Sequence, residues 1–204
     1  MFKKFIKHEK GITGLETAII LIAFVVVAAV FAYTVLSAGL FSTQKGQEAV
    51  YSGLKEAQST LELKGSVIAT ANTTGVDGNI GQISFVVCNV LGGEPVDFTE
   101  PVSDNVGLAS SDSKNKVVIN YIDKDQNVKN LYWTVTKLGN DNGNNLLETN
   151  EKFQVNVSDL SSALTTADLT VNKTFDLEVV TPAGAVLTIE RTVPAYIDQI
   201  MNLH

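Results

Sequence analysis

Residues 1–39 read MFKKFIKHEKGITGLETAIILIAFVVVAAVFAYTVLSAG, and the fold turns on how this stretch is divided. Lys3, Lys4, Lys7 and Lys10 come first, Gly11 follows, and Glu16 is the last charge before Lys45. The 28 uncharged positions of residues 17–44 would make about 42 Å of helix at ~1.5 Å per residue, more than the ~30 Å hydrocarbon core of a bilayer. A cleaved secretory signal has an apolar core of roughly 7–15 residues closed by small residues. Here Ala38-Gly39 runs on into Leu40-Phe41 instead of a polar mature start. A plain signal anchor would share this layout, with its lysines held inside by the positive-inside rule and the rest of the chain outside.

The helical pattern continues past the apolar run. Val50, Leu54, Ala57 and Leu61 recur at spacings of four, three and four, with Lys45, Glu48, Lys55, Glu56 and Glu62 between them. One helix over residues 12–64 is predicted, with Gly39, Gly46 and Gly53 as points where it could loosen. At ~1.5 Å per residue its length is about 78 Å. Its first half is apolar on every side, so it must be buried in lipid or among its own copies. Ala18, Ala23, Ala28, Ala29, Ala32 and Ala38 would let such helices approach closely. Phe24, Val26 and Phe31 are the bulky groups that assembly would bury, and Glu16 stands at the entrance.

From Gly65 the pattern changes to period two. ISFVVCNVL, VVINYI, LYWTVT, FQVNV, FDLEVV and VLTIERTV read as strands rich in Val, Ile and aromatic residues. Phe175, Leu177 and Val179 alternate with Asp176 and Glu178, and TPAG then turns the chain into a second strand, the clearest hairpin. PVSDNVGLASSDSKNK and LGNDNGNN are turn-rich connections. The expected class is α+β: a long N-terminal hydrophobic helix, then an all-β sandwich or barrel-like domain over residues 65–204.

Charge and side-chain chemistry exclude several functions. The formal net charge is −7, and removing the first eleven residues (+3) makes it −10, which repels nucleic acid. Cys88, the sole cysteine, has no intramolecular partner and sits in an apolar strand, as a small buried hydrophobe would. The two histidines, His8 and His204, lie at the ends of the chain, leaving no Ser-His-Asp or Cys-His arrangement and no His-based metal site in the interior. Residues 140–151, NDNGNNLLETNE, place oxygen side chains alternately and end on Glu151, an echo of a calcium loop. Asn stands first and Gly fourth, and carboxylates are few, so the stretch reads as a polar turn; no metal or cofactor is expected. Asn72, Asn156 and Asn172 each begin an Asn-x-Ser/Thr triplet, an acceptor pattern for N-glycosylation when exported and exposed. Asn72 has the most turn-like neighbours. No enzyme is expected.

KHEKG followed by ITGLETAIILIAFVVVAAV resembles the class III signal and N-terminal core of archaeal flagellins (archaellins), within the type IV pilin-like superfamily. The resemblance covers about the first 65 residues specifically. It implies a prepilin-like signal peptidase cutting between Gly11 and Ile12, so that residues 1–11 are a leader and the apolar segment is kept. Glu16 then becomes the fifth mature residue, either meeting a neighbour's new amine or serving as an N-terminal acid favoured by the helix dipole. The resemblance further implies transient membrane insertion, a membrane assembly motor, a homo-oligomeric helical filament outside the cell, and N-glycosylation. The expected role is a subunit of the archaeal flagellum used for swimming. An adhesive type IV-like pilus subunit and a membrane-anchored surface binding domain that never polymerises are the alternatives.

Overall fold

The structure is a computed structural model that describes residues 10–58, 61–90 and 93–203. It divides into two units between Ser52 and Gly53. The first lies within helix α1 (Lys10–Gln58), whose 49 residues amount to about 74 Å of helix at ~1.5 Å per residue. With no proline anywhere before Pro95, nothing in the sequence forces a break.

The second unit is built on strands β1 (Leu61–Thr73), β2 (Asn79–Asn89), β3 (Val96–Asp97), β4 (Val118–Asp123), β5 (Asn127–Val128), β6 (Trp133–Leu138), β7 (Leu146–Leu147) and β8 (Lys152–Val157). A single helical turn, α2 (Leu160–Ala163), precedes β9 (Thr174–Val180), β10 (Val186–Thr192) and β11 (Ile200–Leu203). A five-stranded sheet runs β11-β1-β2-β8-β6, a four-stranded one β10-β9-β4-β5, and β3 pairs with β7. All of these pairings are antiparallel.

One core joins the two larger sheets. Phe85, Trp133 and Phe153 enter it from the five-stranded sheet, and Ile119, Tyr121, Phe175 and Leu177 from the four-stranded one. Phe98 stands edge-on to both Trp133 and Phe153, each at 5.8 Å between ring centroids. Tyr121 stacks on Phe175 at 5.8 Å. The expected hairpin is present: β9 and β10 pair from Thr174↔Thr192 to Val180↔Val186. Its turn is closed by the Thr181 and Gly184 N–H groups, bonded to Ala185 O and Thr181 O.

Two sequence expectations need correction. The helix ends at Gln58, not at residue 64, and β1 begins at Leu61, before Gly65. Leu61 fits the helical stripe, yet it pairs with Asn89 and is buried at 3% exposure. Leu61, Leu63, Val67 and Ala69 also satisfy a period of two around a bulge, and the long partner β2 decides between the patterns. The bulge falls between Lys64 and Ile68, where Gly65 takes φ +81°. The second miss is β11, which ties the C-terminal segment to β1 through Val67↔Leu203 and Thr70↔Ile200.

The β4–β5 turn carries the clearest titration effect. Burial pushes the Asp123 carboxyl up, but hydrogen bonds from Tyr121 O–H and from the Asp125 and Gln126 N–H groups hold it below the usual carboxylate range. Because the folded pKa lies below the unfolded one, the stabilisation is complete above the unfolded value and vanishes as pH falls through the folded one. Asp123→Asn is therefore expected to lower the melting temperature by about 2–6 °C at pH 7. The gap from the unmutated chain should narrow below pH 4, roughly where an unfolded Asp titrates, as thermal scans from pH 3 to 7 would show.

Candidate assembly interface

The chain's largest unsatisfied demand is the surface of α1. Over the 42 residues Gly14–Lys55 it is long and apolar enough to cross a membrane, and none of its most apolar window is buried by the rest of the chain. Phe24 is 73% exposed, Phe31 69% and Val26 55%. Leu15, Ile19, Ile20, Leu21 and Ile22 are also exposed, and four successive residues at 100° steps point to every side. Such a surface cannot stay in water.

Three of its hydroxyls are satisfied within the helix. The hydroxyls of Thr17, Thr34 and Thr43 donate to the carbonyls of Gly14, Phe31 and Leu40 at 3.0, 2.8 and 2.9 Å. No Cβ would meet anything within 4 Å at Gly14, Gly39, Gly46 or Gly53, which leaves room there for another helix to approach closely. The Gly11-Ile12 bond lies in the first turn of α1, which holds no acid. Glu16 is exposed in the second turn. The macrodipole acts mainly within the first turn, so the dipole reading of Glu16 is weak while residues 10–15 are helical ahead of it. Residues 1–9 of the expected leader, His8 among them, and His204 lie outside the described residues.

The other singled-out residues scatter over the β-domain. Asn72 is exposed near the end of β1, and Asn172 is exposed at φ +57° in the turn before β9. Asn156 is half-buried near the end of β8, where its Oδ1 accepts from Gln154 Nε2 at 2.9 Å. Cys88 is buried, and burial, then Glu62, raises its thiol pKa. Both effects favour the protonated thiol, in keeping with a small buried hydrophobe in an apolar strand.

Residues 140–151 spend their oxygens on their own backbone. Asp141, Asn142 and Asn144 accept from the N–H groups of Gly143, Asn144 and Leu146 at 2.8, 3.0 and 2.7 Å. Glu151, buried at 7% exposure, accepts from Asn142 N and Glu148 N. These are the habits of a polar turn.

Sequence reading missed how β6 ends the five-stranded sheet. The N–H of Val135 donates to the Glu100 carboxylate at 2.6 Å, so a charge sits on the edge of that strand. No local motif announces such a contact across 35 positions.

Comparison with known proteins bears on the whole chain. The archaeal-type flagellin family profile matches residues 11–191. The chain belongs to the archaeal-type flagellin family. A probable flagellin of Archaeoglobus fulgidus is 40% identical over the full chain and 99% of its own length. A probable flagellin of Aeropyrum pernix is 36% identical over 93% of this chain and 94% of its own. The archaeal flagellum of Methanospirillum hungatei is similar in structure, with TM-score 0.66, 30% identity, and 93% and 98% of the two chains covered. A Methanocaldococcus jannaschii archaeal flagellin, 13% identical with TM-score 0.55, shares the fold. In this flagellin the long exposed helix and the β-domain thus occur together, as the N-terminal resemblance implied.

Proposed function

We propose that this flagellin is the structural subunit of an archaeal flagellum, with α1 packed among copies of itself inside the filament and the β-domain outside. The observation that carries this reading is the exposed apolar surface of α1, which only lipid or like helices can cover. Both covers serve in turn. The precursor sits in the membrane, a prepilin-like peptidase removes residues 1–11, and a membrane motor hands the mature chain to the growing filament. The product lies outside the cell and serves swimming. The role is mechanical and not enzymatic. Asn72 and Asn172 are the better-placed glycan acceptors, whereas the Asn156 amide is already held within β8.

Filaments sheared from cells and mapped by mass spectrometry should consist of this chain beginning at Ile12. Gly11→Val should reduce processing by roughly tenfold or more, since a β-branched side chain raises the cost of the local backbone conformations that glycine allows. Filament subunits beginning at Met1 would refute the cleavage. A chain found only as a membrane-bound monomer would refute the polymer.

A further inference from the structure

The two large sheets present opposite kinds of face to the outside. On the five-stranded sheet one cross-strand row runs unbroken over all five strands: Thr134, Asn156, Ser84, Ile68 and Asn202. The next row continues Thr136, Gln154 and Val86 before meeting a charge at Lys64. On the other side Gln82, Thr70 and Ile200 lie in register. This stretch of five strands therefore carries no charged side chain, and it includes two exposed isoleucines, Ile68 at 42% and Ile200 at 67%.

The four-stranded sheet instead places acids at the centre of its face. Two of its outward rows are Glu190, Asp176 and Ile122, then Thr188, Glu178 and Asn120, followed by an apolar row of Val186, Val180 and Val118 at one end. Glu190 stands directly opposite Asp176, an unfavourable pairing of like charges, and no basic residue interrupts these two rows.

We propose that the uncharged face of the five-stranded sheet is the lateral contact surface between the outer domains of neighbouring copies, and that the acidic sheet faces solvent. This rests on the filament reading above. The occupant follows from charge. From residue 61 onward nine basic residues stand against eighteen acidic ones, so the β-domain alone carries −9. Two such domains held side by side repel within a Debye length of about 8–10 Å, unless the apposed surfaces carry no charge. A cationic partner would choose the acidic sheet instead. Five strands ~4.8 Å apart and three rows deep span only about 200–300 Å², well below the ~800 Å² per partner of a stable free complex. The patch therefore acts only between copies already tethered by their helices at high effective concentration.

The alternation was legible in LYWTVT and FQVNV, whose outward members Thr134, Thr136, Gln154 and Asn156 are all polar and uncharged. Only the register shows that they join into one surface.

The test compares native filaments with subunits released from them. In a Cys88→Ala background, Thr136→Cys and Thr188→Cys probe the two sheets with a charged maleimide. The Thr136→Cys site should react about tenfold more slowly in filaments than in released subunits, because an interface core excludes water and reagent. The Thr188→Cys site should react nearly equally in both. Hydroxyl-radical footprinting of the unmutated chain gives an independent readout, with Ile68 and Ile200 protected on assembly and Val186 not. Equal reactivity at both sites, or protection of the acidic sheet, overturns the proposal while leaving the filament intact. Protection traced to a glycan on Asn156 overturns the second copy as occupant. Failure of the unmutated chain to form filaments overturns the filament reading instead.

Discussion

Val26→Asp is expected to abolish filaments while leaving the β-domain folded. Val26 lies about a third of the way along the uncharged run, in an exposed stretch of helix that the described residues leave unburied. In a bundle of like helices its side chain is apolar on apolar, contributing roughly 1.5–3 kcal/mol when fully buried. A carboxylate there would be buried without a hydrogen-bond donor, because residues 18–32 of the helix carry no polar side chain at all. The cost is several kcal/mol per subunit and recurs at every copy. Electron microscopy of sheared surface material should show no filaments. The precursor should still reach the membrane fraction, since one acid at the centre of a long apolar helix costs about 2.5–3.5 kcal/mol on insertion scales and the rest of the segment outweighs it. Circular dichroism of the solubilised variant should retain the β-domain transition. Normal filaments would mean that α1 is not the interface.

The second large effect belongs to the β-domain. Phe98→Ala should lower its stability by about 3–5 kcal/mol, as for other fully buried phenylalanines. Phe98 is 1% exposed and touches both Trp133 and Phe153 edge-on, so truncation empties the space where three rings meet. For a domain of this size the melting temperature should fall by roughly 10–20 °C. Phe98→Leu should recover more than half of that loss, because it restores most of the volume. Calorimetry of the solubilised chain decides the matter: a shift below about 2 °C would mean that the cavity collapses or that this corner adds little to the cooperative core.

What the sequence conveyed about this molecule depended on how local the signal was. The uncharged run of α1 is a property of successive residues, so the helix could be read directly. The β9–β10 hairpin was legible for the same reason, since its alternation and its TPAG turn adjoin. Leu61 was misassigned because its neighbours satisfy both a helical and a strand period, and the decision came from β2, whose paired residues begin more than twenty positions away. β11 was invisible because four residues with two apolar on one side and little else make no pattern until β1 lies beside them. The uncharged face depended on register across five strands, and Glu100 on a contact with no local echo. The N-terminal junction at Gly11 carried family information that no geometry supplies.

The threonine hydroxyls of α1 have a consequence for how the chain changes surroundings. Because Thr17, Thr34 and Thr43 donate to their own helix, these hydroxyls add little polarity to an exterior that is mostly hydrocarbon over residues 17–36. Lipid tails and the side chains of sister helices are nearly the same medium to such a rod, and leaving one for the other breaks no hydrogen bond. On the proposed route from membrane to filament, extraction and incorporation would amount to an exchange between two solvents of similar quality. What separates them is fit, because acyl chains are fluid while a neighbouring helix presents fixed ridges and hollows. Glu16, the one charged residue between positions 11 and 44, would have to find a new counterpart during such an exchange, which would make the entrance of the helix its most sensitive point.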